Sequence, residues 1–309
     1  MSWFDNIGYG LWLFWERLDL KRFGQSILSV FGAIWLTVEI LDFFGKSSWS
    51  TNIKSMWWII LIVAVILIIY RNWPKFTFSY KVQSRDVSIS IRIGDIFKTK
   101  GALIVPINNR LDCDNNGIVK KSSSILKHFI NNAYQKTPAH LNTDICQQIE
   151  DNEEWYQKYL VNNNPDEYKL GTVVPIFRDE KQYYLLCSST LNPHGRSKTT
   201  VDNLRASLNE LWAYLTHSGS KDNLVIPIVG TGRGRIPLKR EEVIKEIVLS
   251  FLVSLSQESY CEQLTIVIHP SDLKQYKMKL DELLDFIRLH CNNTGYLKGN
   301  ELPTGTAIE

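Results

Sequence analysis

Four short stretches of the chain carry residues that can hold a polar, anionic ligand. The richest reads Ile226-Pro227-Ile228-Val229-Gly230-Thr231-Gly232-Arg233-Gly234-Arg235-Ile236-Pro237. Three Gly at alternate positions follow an apolar run and precede a helical pattern. Backbone N–H groups of such a loop can form a nest around a phosphate. A helix starting near Pro237 adds its N-terminal dipole, and Arg233 and Arg235 supply charge-assisted hydrogen bonds. The loop lacks the Gly-Lys-Ser/Thr ending of a nucleoside-triphosphatase and is not a G-x-G-x-x-G. Its plain alternative is a Gly-rich connector with solvated Arg. The second stretch is Ile104-Val105-Pro106-Ile107-Asn108-Asn109, leading to Asp114-Asn115-Asn116-Gly117-Ile118-Val119. Two Asn closing a buried run need partners, either a ligand hydroxyl or the loop that follows. In the third, Gly94-Asp95-Ile96, Gly permits a tight turn. Asp95 can then accept from an exocyclic amine at a strand end, or simply cap a turn. The fourth is Asn192-Pro193-His194-Gly195-Arg196. Asn192, His194 or Arg196 can read the far end of a ligand, or the segment is only a Pro-Gly turn. His194 has no evident Ser or Cys partner, so a nucleophilic triad is not supported. The five Cys are odd in number and contain no C-x-x-C pair, which argues against a disulfide framework or a zinc site.

These stretches need a scaffold, and the pattern from Asp86 onward supplies one. Val87, Ile89, Ile91 and Ile93 alternate as in a half-buried strand. Residues 102–108 form a continuous apolar run, as in a central strand. Further strands are predicted at 172–177, 183–189, 223–229 and 264–269. Leu204, Leu208, Leu211, Trp212 and Leu215 share one helical face, as do Val243, Ile244, Ile247, Val248, Phe251 and Leu252. A last helix is predicted near 272–290. Strands alternating with helices give a three-layer α/β/α domain with a mixed, mostly parallel sheet. Residues 137–170 are polar and read as an inserted helical or loop segment, and the tail from Asn292 as mobile.

The chain has 309 residues, 44% hydrophobic and 22% charged, which excludes a wholly disordered chain. The net charge of +3 is too small to argue for nucleic acid. The first 75 residues are far more apolar than the rest. Residues 26–45 and 56–73 approach the ~20 apolar residues that span a bilayer. The second carries no charge from Met56 to Tyr70 and is flanked by Trp57, Trp58, Tyr70 and Trp73, placed to suit the two interfaces. Glu39 and Asp42 weaken the first. Glu39 either lines an oligomeric contact or pore, or marks the outer end of a shorter span. Lys46 to Ser55 join the two segments into a hairpin. Arg17, Lys21 and Arg22 before it, and Arg71, Lys75 and Lys81 after it, favour both ends inside. The expected domains are an amphipathic segment at 1–22, a transmembrane hairpin at 23–75, an α/β domain at 80–291 and a flexible tail at 292–309. Residues 1–22 either lie along the membrane surface or pack against another subunit.

The order GDI, then P-I-N-N, then a Gly loop, then PIVGTGRGRIP resembles a macro domain over about 86–290. Macro domains bind ADP-ribose and its derivatives. The resemblance implies that Asp95 contacts the adenine amine with Ile96 beside it. It implies that Asn109 faces the distal ribose, that Asn116–Val119 form the first loop, and that Gly230–Arg235 wrap the diphosphate. Two features depart from the family pattern: P-I-N-N replaces N-A-A-N, and the triple-Gly loop keeps only Gly117. Both bear on hydrolysis more than on binding. With its two N-terminal helices and the segment LNPHGRSKTTVDNLRASLNELW (191–212), the chain resembles the membrane–macro effector of type II Thoeris antiphage defence. That resemblance implies a diffusible signal, a histidine conjugate of ADP-ribose, made by a TIR-domain partner enzyme. It also implies a homo-oligomer in the bacterial inner membrane, contact with membrane lipid, and no cofactor, metal or nucleic acid. The rival expectations are a membrane-tethered hydrolase of ADP-ribose, and an anchor whose nucleotide site has decayed.

Overall fold

The computed structural model describes residues 3–16, 19–44, 57–83, 85–113, 124–192, 196–219, 222–232, 234–255 and 259–293. They fall into two compact units, Met1–Phe76 and Thr77–Glu309.

The N-terminal unit holds three helices, α1 (Trp3–Glu16), α2 (Leu20–Phe44) and α3 (Trp57–Asn72). Asp19 starts α2, its Oδ1 accepting from the N–H groups of Lys21 at 2.9 Å and Arg22 at 3.3 Å, as an N-cap carboxylate does. Val30 of α2 is buried with Ala64 and Ile68 of α3, and Phe23, Ile27 and Ile34 pack around them. Ser26, near the start of α2, donates to Asn72 at the end of α3 at 3.5 Å, so the two helices run antiparallel. Leu13 and Phe14 of α1 are buried, and the Phe14 ring lies 6.4 Å from both Phe23 and Trp73. Leu20–Ile40 is long and apolar enough to cross a membrane by length and composition; Trp58–Asn72 is a shorter apolar helix. The sequence favours the later segment, but residues 45–56 before it lie outside the described residues.

The C-terminal unit is built on an eight-stranded sheet. Its strands are β1 (Thr77–Lys81), β2 (Ser88–Ile93), β3 (Ala102–Asn108), β6 (Val173–Arg178), β7 (Lys181–Leu191), β8 (Ser197–Lys198), β9 (Leu224–Pro227) and β10 (Gln263–Ile268). The order is β1-β2-β10-β9-β3-β7-β6, with β8 on β7. Pairs β2–β10, β10–β9, β9–β3 and β3–β7 are parallel; β1–β2, β6–β7 and β7–β8 are antiparallel. The sheet is thus mixed and mostly parallel. The helices are α4 (Ile125–Ala133), α5 (Pro138–Asp151), α6 (Glu153–Gln157), α7 (Val201–Ser218), α8 (Arg240–Ser254), α9 (Pro270–Gln275) and α10 (Leu280–Asn292). Strand β7 shows how both faces are covered, because neighbouring side chains point opposite ways. Tyr183 meets Phe129 of α4 with ring centres 4.6 Å apart. Tyr184 meets Tyr214 of α7 at 6.1 Å.

The polar segment 137–170 contains α5, α6 and a small hairpin of β4 (Leu160–Val161) with β5 (Asn164–Tyr168). The helix predicted near 272–290 is two helices, because Lys277 takes a left-handed φ of 46° between them, which an α-helix cannot accommodate.

Candidate ligand-binding site

Five parallel strands, β2, β10, β9, β3 and β7, end on one edge of the sheet. In that order the edge carries Gly94-Asp95, His269, Gly230–Gly232 with Gly234-Arg235, Asn109 and Asn192. Strands lie ~4.8 Å apart, so the row spans ~19 Å from Asp95 to Asn192. From β9 the chain goes on to β10 on one side, and from β3 to β6 and β7 on the other. The connections diverge between β3 and β9, which makes that pair the topological switch point, where ligands of open α/β sheets bind. The ladder opens there. Strand β3 pairs with β9 only at Ala102–Leu224 and Leu103–Val225, whereas it follows β7 from Leu103 to Asn108. Pro106 and Pro227 lie just beyond the last pair, and neither has an N–H to extend the ladder.

The Gly loop forms one lip of this opening. Gly230 has a φ of 78°, and its carbonyl accepts from Ile236 N–H at 3.1 Å, closing the loop on itself. Gly234 is buried, and its carbonyl accepts from Thr199 N–H at 2.8 Å. A Cβ there would sit 2.8 Å from Thr199 Oγ1 and 2.9 Å from the Gly230 carbonyl oxygen. Gly232 is exposed, and a Cβ would meet nothing within 4 Å. The three Gly therefore divide: Gly230 and Gly234 shape the loop, and Gly232 keeps its outer surface bare. Thr231 Oγ1 donates back to Ile228 at 3.2 Å, while Arg235 is exposed. The following helix starts at Arg240, three residues later than predicted at Pro237. Its first turn carries Glu241 and Glu242. The chain's own carboxylates thus serve that helix N-terminus.

Asn109 forms the other lip. Its side chain is buried, and Oδ1 accepts from Leu191 N–H at 3.0 Å. Its backbone is held too, N–H to Ser189 and carbonyl to Tyr168. No described residue accepts from its Nδ2. Asn108 is placed differently from the ligand contact expected of it. Its Nδ2 donates to the Asp112 carbonyl at 2.8 Å, and Oδ1 accepts from Arg110 N–H at 3.0 Å and Asp112 N–H at 3.3 Å. The side chain is spent on the turn after β3, the second of the two readings the sequence left open.

Asp95 caps the 3-10 turn Ile96–Lys98, with Oδ1 accepting from Phe97 N–H at 3.0 Å. Ile96 is buried in the core beneath it. Asn192 closes a turn, with Oδ1 accepting from Arg196 N–H at 2.8 Å. Gly117, Ile118, Val119, His194 and Arg233 lie outside the described residues.

Thr199 is a residue the sequence gave no reason to single out. It is buried, and Oγ1 donates to the Ser188 carbonyl at 2.9 Å. Together with its N–H bond to Gly234, it ties the Gly loop to β7 across the switch point. His269, at the end of β10, caps α9 through Nδ1, which accepts from Ser271 N–H at 3.3 Å. Cys187 is wholly buried, and burial pushes its thiol up, which disfavours the reactive thiolate. Among the described residues no group of His, Cys, Asp and Glu can hold a metal ion. A cavity of about 800 Å³ lies at the opposite edge, beside Lys81, Arg85 and Asp86.

The C-terminal unit is thus a doubly wound α/β domain whose Gly loop and Asn109 follow the two strands that flank the switch point. The family model for the Thoeris protein ThsA, macro domain, matches residues 89–269. The chain belongs to the ThsA macro-domain family. No curated protein matches it. Solved structures similar to it include the Oceanobacillus iheyensis macrodomain with MES bound, at 15% identity and TM-score 0.45, over 68% of this chain and 97% of that one. The same macrodomain with ADP is 16% identical with TM-score 0.45, over 68% and 97% of the two chains.

Proposed function

We propose that the C-terminal unit senses an ADP-ribose derivative and that the N-terminal unit acts on a membrane in response. The observation that carries this reading is the opening between β3 and β9, with a bare Gly loop on one lip and the Asn109 amide on the other. In this reading Gly230–Arg235 cradle the diphosphate with backbone N–H groups and Arg235. Asn109 donates through Nδ2 to a hydroxyl of the distal ribose, and Asp95 and Ile96 take the adenine. A carboxylate has acceptor sites to spare, so the Asp95 bond to Phe97 N–H leaves room for an exocyclic amine. The ligand is a histidine conjugate of ADP-ribose supplied by a TIR-domain enzyme. The chain binds it without turning it over.

The membrane part of the proposal rests on α2 and α3. The 25 residues of α2 rise ~37 Å, more than the ~30 Å hydrocarbon core. The 16 residues of α3 rise ~24 Å before any contribution from the residues preceding them. Both cross the inner membrane as a hairpin with cytoplasmic ends. Ligand binding favours an assembled state by its higher affinity for it, and the assembled hairpins breach the bilayer and kill the infected cell.

The test is calorimetric titration of the full chain in detergent with ADP-ribose and with its histidine conjugate, followed by chromatography of the mixture. Saturable binding, tighter for the conjugate and with the ligand recovered intact, is the expected result. Conversion of the ligand would make the protein a hydrolase. Absence of binding to either would remove the sensor reading.

A further inference from the structure

Helix α2 has two opposite faces, and only one is used within the chain. Phe23, Ile27, Val30 and Ile34 pack against α3. Two residues out of phase, and so ~200° round the helix, Gln25, Ser29, Gly32, Leu36, Glu39 and Phe43 recur at steps of four and three. All six are exposed. This outward seam carries a carboxylate, an amide, a hydroxyl and a glycine, although α2 is the described helix long and apolar enough to cross a membrane. Among the described residues nothing pairs with Glu39. Helix α3 is the reverse: from Trp58 to Ile69 it carries no polar side chain apart from the indole N–H of Trp58. An ionisable group on a spanning helix faces protein or water rather than lipid. Polar side chains in such helices face neighbouring helices, and small ones let the backbones approach.

We infer that the seam Gln25–Ser29–Gly32–Leu36–Glu39 faces other copies of this chain, and that in the assembly these residues line a water-filled passage with a ring of Glu39 carboxylates. The inference rests on the reading that α2 crosses the membrane and that copies assemble there. A second copy is the fitting occupant because α3 offers this seam no polar side chain between Ile59 and Ile69, whereas a like α2 brings the same polar and small groups. Copies inserted in one orientation bring Glu39 to the same depth. In direct contact such carboxylates repel; around water they form the ring that selects cations. The apolar α3 then meets the lipid and α2 meets the water.

The test uses the full chain reconstituted in lipid vesicles at high protein density, with and without the histidine conjugate of ADP-ribose. A Cys146→Ser background removes the exposed native thiol. Single cysteines are placed by Ser29→Cys on the seam and Ile27→Cys on the α3 side, and a disulfide-forming oxidant is added. Cross-linked dimers through the first and not the second are expected. Cross-links through the second, through both equally, or through neither while the chain stays in the bilayer overturn the seam. A chain that alkaline carbonate washes off the vesicles overturns the membrane reading itself, which is a separate result. In the same vesicles Glu39→Gln should keep the S29C cross-link and the flux but lower the K⁺ over Cl⁻ permeability ratio several-fold. An unchanged ratio overturns the carboxylate ring.

Discussion

Gly232 and Gly234 stand two residues apart and answer to different forces. A side chain at Gly232 meets open space, so Gly232→Glu should melt within about 1 °C of the parent, as neutral surface changes do. With the loop holding the diphosphate as proposed, the added carboxylate would repel it and abolish the ligand-induced rise in melting temperature. Gly234→Ala drives a methyl against Thr199 Oγ1 and the Gly230 carbonyl oxygen. It should cost about 1–3 kcal/mol, as overpacking does, measured by denaturant unfolding without ligand. The paired Asn divide in the same way. Asn108→Ala removes three hydrogen bonds to the backbone of the turn and should destabilise by about 1–3 kcal/mol or more. Asn109→Asp keeps the oxygen that holds Leu191 N–H and loses the free donor. The fold should survive and affinity should fall at least tenfold; unchanged affinity would falsify the donor role. Sequence alone singled out Asn109 and the Gly loop as candidates, because polar groups closing a buried strand advertise themselves. It could not divide the two Asn or the two Gly, since that turns on which backbone atoms the folded loop brings within 3 Å. Thr199 gave no signal at all, because its work depends on Ser188 and Gly234, which only the fold brings near.

At the scale of elements the strong apolar runs were legible and the weak ones were not. Residues 102–108 and 264–268 lie in the interior of the sheet, and their β-branched residues show it. Strand β1 escaped notice because it is an edge strand with alternating exposed and half-buried residues, and β8 because it has two residues. The helix after the Gly loop starts late because the loop needs Ile236 to bond back to Gly230 before the chain is free to turn. Helices α7 and α8 are joined by a two-point ion pair, with Arg205 Nε and a terminal guanidinium nitrogen each 2.7 Å from Glu246. The hydrogen bonds from Arg205 hold the Glu246 carboxyl below its ordinary value, against a smaller opposing effect of burial. A lowered folded value means that the pair's contribution is fully present above the ordinary carboxylate range. It is lost as pH falls through the lowered value. Arg205→Ala should therefore lower the melting midpoint by about 1–2 °C at pH 7, as an exposed pair does. The difference from the parent should vanish once both forms of Glu246 are protonated. A difference that persists there would point to lost packing of the Arg stem rather than lost charge.

At the scale of the molecule, the sequence divides where the structure does, between an apolar first quarter and a polar remainder, and the unit from Thr77 has a core of its own. A chain of residues 77–309 should therefore unfold cooperatively, with a sigmoidal near-ultraviolet melt; a gradual, non-cooperative melt would contradict a self-sufficient core. Within that unit the central sheet is less uniform than its strand count suggests. Strands β1, β2, β10 and β9 make one plate and β3, β7 and β6 another, and two residue pairs at one end weld them. A sheet joined along its full length is stiff to splaying; one joined at a corner is compliant about that corner. Its free end is where the Gly loop and Asn109 face each other, and Thr199 is the one described strut that reaches from the second plate to the loop of the first. On the proposed reading, a ligand held from both sides of the gap would fasten the two plates at the end where β3 and β9 have no paired residues. The angle between the plates would then be the mechanical quantity that registers whether the ligand is there.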